Sequence, residues 1–149
     1  MIANKFQYNL TRSQASRFAQ ALALLDGIAI DSGKSLHPLL QQAERSALRS
    51  QLETLNTELA EYEAFRSGQQ RSFSLNSFEE LPQALICARI VSGLTQKQLA
   101  ERLGLKEQQI QRYEASGYAA ASLQRVTAVI KALGLQVREE IALVSSETL

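Results

Sequence analysis

One twelve-residue stretch, Gly93-Leu-Thr-Gln-Lys-Gln-Leu-Ala-Glu-Arg-Leu-Gly104, constrains this chain more than any other. It spells a short helix with both ends marked. Thr95 can act as N-cap, and Gln98, three residues on, holds the reciprocal position of a capping box. Leu94 and Leu99 are spaced for a hydrophobic staple over the same end. Gly104 stops this helix as Gly93 stops the one before it, because glycine enters the left-handed region at no steric cost. A further helix starts within two or three residues and carries Ile110 and Tyr113 inward.

Two short helices joined by so tight a turn cross steeply and touch closely. The contact needs a small side chain, and Ala100 supplies it. The turn needs a residue tolerant of positive φ, and Gly104 stands there. The second helix needs an apolar anchor on the first, and Ile110 is placed for it. Spaced four and six apart, these three positions meet the demands of a helix-turn-helix. A preceding helix from Leu81, with Leu81, Leu85 and Ala88 on one face, and a following one from about Ser122 to Leu133, packing Leu123, Val126, Ile130 and Leu133, complete a bundle.

The run Gly93 to Gly104, then Ile110-Gln-Arg-Tyr-Glu114, then Leu133-Gly-Leu135, resembles the Xre family of lambda-repressor-like DNA-binding domains over residues 81–135. The resemblance implies double-stranded DNA as partner. It implies that Gln96 clamps a phosphate and braces the reading helix, and that Arg89 and Glu114 form an internal ion pair between the first and third helices. It places Lys106, Glu107, Gln108, Gln111 and Arg112 on the solvent face of the third helix, whose N-terminal half enters the major groove. Gln can bond an adenine edge at two points and Arg a guanine edge. Lys97 joins the DNA-contact set from the second helix. Three departures stand out. Lys106 occupies a position where the family often has a capping Ser or Thr. Glu107 brings an anion toward a polyanion. After Glu114 the run Ala115-Ser-Gly-Tyr-Ala-Ala-Ala121 offers few phosphate donors beyond Tyr118 and backbone amides, which increases the need for a dimer.

Charge supports the same segment. Residues 81–135 carry seven Lys/Arg against three Glu, a net +4, within a chain whose net charge is only +1. Residues 1–80 sum to −1 and residues 136–149 to −2. Positive charge gathered in one segment is the footprint of a duplex-binding surface.

The N-terminal half reads differently. Asn4 to Leu10 alternates weakly (Phe6, Tyr8, Leu10), as a short strand or an arm would. Thr11, with Gln14 in capping-box spacing, opens a helix from about Arg12 to Ala29. Asp31 to Ser35 is a loop by composition. A longer helix from Pro38 to Arg66 carries a seam of Leu48, Leu52, Leu55, Leu59 and Tyr62, in steps of four and three residues. Either this helix folds back on the first as a hairpin, or its seam also meets a partner chain. The polar, aperiodic Ser67 to Ser74 reads as linker. The expected organisation is a helical dimerisation or partner-binding module at 1–68, a linker at 69–77, a DNA-binding domain at 78–135, and a tail at 136–149. That tail, Leu135 to Val144 above all, alternates in part and is expected to form a short strand, paired with Asn4–Leu10 or with its copy in a second subunit. The fold class is mostly α.

No enzyme is visible. Ser/His/Asp sets, glycine-rich phosphate loops and paired carboxylates are all missing. His37, the only histidine, lacks partners for catalysis or metal binding, and Cys87, the only cysteine, reads as a packing residue. No cofactor or metal is expected. Without a signal peptide or a membrane span, a cytoplasmic protein is the default. Two functional classes remain: a repressor reading its operator as a homodimer, and a protein-interaction module whose N-terminal helices bind another protein. A long-helix module joined to an Xre-type domain resembles the antitoxins of toxin–antitoxin pairs, HigA-type in particular, in which a cognate toxin is the second partner.

Overall fold

The computed structural model describes residues 1–31 and 38–144. Six α-helices follow in order: α1 (Lys5–Asp31), α2 (Pro38–Arg66), α3 (Leu81–Val91), α4 (Gln96–Leu103), α5 (Glu107–Ala115) and α6 (Leu123–Ala132). One 3₁₀ turn, Phe78–Glu80, leads into α3. Asp31, expected to open a loop, is instead the last residue of α1; the rest of that loop, His37 and the last five residues lie outside the described residues.

The start of α1 differs from the alternation read in Asn4 to Leu10, which is helical. Asn4 is its cap: the side-chain oxygen accepts from the Gln7 amide at 2.9 Å, and Gln7 reaches back to accept from the Ala3 amide at 2.8 Å. These bonds satisfy backbone donors at the helix entry, so Thr11 is not needed there and lies half-buried inside the helix. The period that matters is Tyr8, Thr11, Ala15, Phe18, Leu22 and Leu25, one helical face, whereas Phe6 and Leu10 stay exposed.

Helices α1 and α2 pack on each other as a hairpin. Leu48, Leu52, Leu55 and Leu59 are half-buried in this two-helix layer, and only Tyr62 of the seam is buried. Tyr62 stacks on Tyr8, ring centroids 5.2 Å apart. Arg45 fastens the other end, pairing with Asp26 at 3.3 Å and donating to the Leu25 carbonyl at 3.1 Å.

The core of the C-terminal bundle takes one fully enclosed side chain from each of its four helices: Leu85, Leu99, Ile110 and Val129. Leu123, expected to pack, is 70% exposed, because α6 turns Val129 and Leu133 inward and leaves its first residue outside. Ile2 and Tyr62 belong to this same core, so the base of the hairpin is packed on the bundle. Among the described residues no strand forms. Leu135 to Val144 lacks regular structure, and Ile141, Leu143 and Val144 are exposed. The expected C-terminal strand is therefore corrected to an irregular tail: its intramolecular partner, Asn4–Leu10, is spent as the cap and first turns of α1, and a lone strand has no ladder to join.

Candidate nucleic-acid interface

Helix α4 begins as its sequence dictates. Thr95 Oγ1 accepts from the Gln98 amide at 3.1 Å, and Gln98 Oε1 accepts from the Thr95 amide at 2.9 Å. Leu94 is half-buried outside the cap and Leu99 fully buried inside it, as a staple requires. The helix ends at Gly104, φ 65°, with the Leu105 amide on the Ala100 carbonyl at 2.8 Å and the Gly104 amide on the Glu101 carbonyl at 3.3 Å. This pair of bonds satisfies two last-turn carbonyls and redirects the chain within two residues into α5. Ala100 is buried where the helices meet, and Ile110 is wholly enclosed.

Helix α5 starts less completely. A lysine side chain has no acceptor, so Lys106 gives α5 no side-chain cap. Only the reciprocal half forms, Gln109 Oε1 accepting from the Lys106 amide at 3.0 Å. The sequence reading found the missing cap but not Gln109, although its position three residues on was the available signal.

Arg89 and Glu114 meet as a two-point pair across α3 and α5: Nε to Oε1 at 2.6 Å and Nη2 to Oε2 at 2.9 Å, both side chains almost fully buried. Arg89 also donates to the Leu94 carbonyl at 2.8 Å and to the carbonyl of Ala3. Gln96 Nε2 adds a bond to Glu114 Oε2 at 2.8 Å, and Gln96 Oε1 accepts from Asn4 Nδ2 at 3.1 Å. A buried ion pair is tolerated when such extra bonds satisfy it. Here they tie α3, α4, α5 and the chain entering α1 into one network. Sequence reasoning missed the contribution of Ala3 and Asn4, because contacts 86 and 92 residues apart leave no local signature.

Residues 88–139 match the helix-turn-helix family.

That match spans the last turn of α3 through α6, and it supports an Xre-type DNA-binding regulator. The family is one of DNA-binding modules, not of enzymes. No curated protein and no solved structure matches the chain. Within the helix-turn-helix, Lys106, Glu107, Gln108, Gln111 and Arg112 are all exposed on α5 and its entry. Glu107 and Gln111 lie one turn apart, with Gln111 Nε2 3.4 Å from Glu107 Oε1. Lys97 is exposed in the first turn of α4. Arg102 is turned the other way and donates to the Ala132 carbonyl at 2.9 Å, closing the end of α6.

Two expected DNA contacts sit elsewhere. Gln96 is buried and braces Glu114 of α5 through the bond above. Tyr118 is only 4% exposed and stacks on Tyr113, ring centroids 5.9 Å apart. Two successive left-handed residues, Gly117 at φ 60° and Tyr118 at φ 58°, fold the ring inward after α5. Burial raises the Tyr118 phenol, with Glu114 adding in the same direction, and its hydroxyl has no partner among the described residues. Tyr118 is thus a packing residue and is removed from the phosphate-contact set. Cys87 is buried, and burial likewise pushes its thiol up, away from the reactive thiolate. No helix among the described residues is long and apolar enough to cross a membrane.

Proposed function

We propose that this protein is a sequence-specific transcriptional repressor that reads duplex DNA as a homodimer in the cytoplasm, with α5 in the major groove. The observation that carries this is the exposed set Glu107, Gln108, Gln111 and Arg112 on a helix whose pitch is fixed from behind by Glu114, Ile110 and the Arg89 pair. Gln108 and Arg112 lie one turn apart, so both can face base edges at once. Lys97 and Lys106 flank them for phosphate, while Gln96, buried at the start of α4, braces α5 through Glu114. Binding of the purified protein to the DNA upstream of its own gene, followed by fluorescence anisotropy over a salt series with a scrambled duplex as control, tests it. Preference for the native sequence, weakening steeply with salt, supports the repressor. Equal binding to both duplexes removes sequence specificity from the proposal.

A second reading rests on the hairpin. Its seam from Leu48 to Leu59 is only half-buried, and Leu24, Leu39 and Leu40 are exposed. Helices this long leave apolar surface that a second copy, or a small toxin protein, would cover. On that reading the chain is an antitoxin that represses its own operon, or an interaction module whose helix-turn-helix is secondary. Solution mass by light scattering distinguishes monomer from dimer. Co-purification with the product of a small basic reading frame beside the gene tests the toxin.

A further inference from the structure

The hairpin's base does more than pack on the bundle. The start of α1 and the end of α2 form one wall of a solvent-open cleft whose other walls are the start of α4 and the outer face of α5. Lys5 and Arg66 line the first wall; Thr95, Gln96, Glu107 and Gln111 line the others. Lys5 and Arg66 are exposed. Among the described residues, neither forms an ion pair or donates a side-chain hydrogen bond. Among the described residues Glu107 is the only acid lining the cleft, and the guanidinium of Arg89 beneath is already committed to Glu114.

When a reading helix lies in the major groove, the helix before it crosses the sugar–phosphate backbone at the groove's edge. On the DNA-binding reading above, that backbone would run over Thr95 and Gln96, along the cleft. Gln96 has its carbonyl taken by Asn4 and one amide proton by Glu114, so little of it remains for a phosphate. We infer that Lys5 and Arg66 supply the missing contacts: the hairpin is part of the DNA-binding surface and grips the backbone strand beside α5. Phosphate contact explains why two cations with no ion pair among the described residues line the cleft at the base of the hairpin, although residues 1–80 are net acidic.

This rests on the DNA-binding reading above but not on any operator, because phosphate contacts are independent of sequence. The test uses the full chain and a mixed-sequence duplex of about 30 base pairs, three helical turns. Affinity is measured at several salt concentrations for wild type, for Lys5→Gln/Arg66→Gln, and for Arg12→Gln/Arg17→Gln. The last pair removes the same charge from exposed positions farther along α1. The expected result is a loss on the order of tenfold for the first pair, with the salt slope lowered by about 1.8, two contacts at roughly 0.9 each, and little change for the second. Equal losses for both pairs would reduce the effect to overall charge and overturn the inference, as would no loss for either. A wild type that binds no duplex at low salt sinks the DNA-binding reading itself, which is a different failure from either of these.

Discussion

Glu114 has both carboxylate oxygens engaged by Arg89, at 2.6 and 2.9 Å, while its Oε2 also accepts from Gln96. The pair holds α5 against α3 from the side opposite the exposed residues, so it sets the pitch at which Gln108 and Arg112 are presented. Removing one partner strands a buried charge. Arg89→Met alone is expected to cost about 3–5 kcal/mol in urea unfolding, and Arg89→Met/Glu114→Leu distinctly less than twice that, because the double change leaves no ion behind. Additive costs in the double variant would show that the two residues act independently.

Gly104 sits at φ 65° with nothing within 4 Å of the place a Cβ would occupy. Crowding is therefore no objection to a side chain; only backbone strain is. Gly104→Ala should cost about 1–2 kcal/mol, and Gly104→Asn less, since asparagine tolerates the left-handed region. Thermal unfolding of the two variants checks the order. If alanine and asparagine cost the same, the turn does not depend on that conformation.

The parts of this structure that were legible in the sequence are those made by neighbours in the chain. The cap and stop of α4, and the bounds of α2 from Pro38 to Arg66, rest on contacts within a turn or two, which leave fixed spacings. The pairing of Arg89 with Glu114 came through a resemblance rather than through spacing. Not all that escaped was distant. The start of α1 carries a local signal, Asn4 and Gln7 three residues apart, which the weak alternation of Phe6, Tyr8 and Leu10 masked; the bond from Asn4 to Gln96 spans 92 residues and leaves no local trace. Tyr118 looked like a surface donor because nothing local announces a left-handed non-glycine residue. The tail from Leu135 to Val144 alternates as a strand does, yet alternation states only a preference, and a strand needs an edge to pair with.

Tyr118 separates the sequence expectation from the observed packing in one substitution. Tyr118→Phe removes a hydroxyl that is buried and unpartnered among the described residues. Losing such a group does not cost a hydrogen bond and relieves a desolvated one, so stability should hold or rise by up to about 1 kcal/mol. DNA affinity should not change. A clear drop in affinity at unchanged stability would return the hydroxyl to the phosphate-contact set.

Arg112 and Arg102 carry the same charge ten residues apart and should fail in opposite ways. Arg112 is exposed on α5, one turn from Gln108. Arg112→Ala is expected to weaken binding to the preferred duplex by about 1–3 kcal/mol, with a smaller loss on a scrambled one, and to leave urea unfolding unchanged. Arg102 points at the end of α6, where its guanidinium satisfies the Ala132 carbonyl at 2.9 Å. Arg102→Ala should lower stability by roughly 0.5–1.5 kcal/mol, the net worth of one hydrogen bond, and leave the affinity of the folded protein nearly intact. Measuring both quantities on both variants is decisive because general electrostatic attraction predicts something else: equal losses of affinity, with the same change in salt slope, wherever on the module the charge is removed. A crossed result, affinity lost at Arg112 and stability lost at Arg102, is what a reading helix with a dedicated face requires.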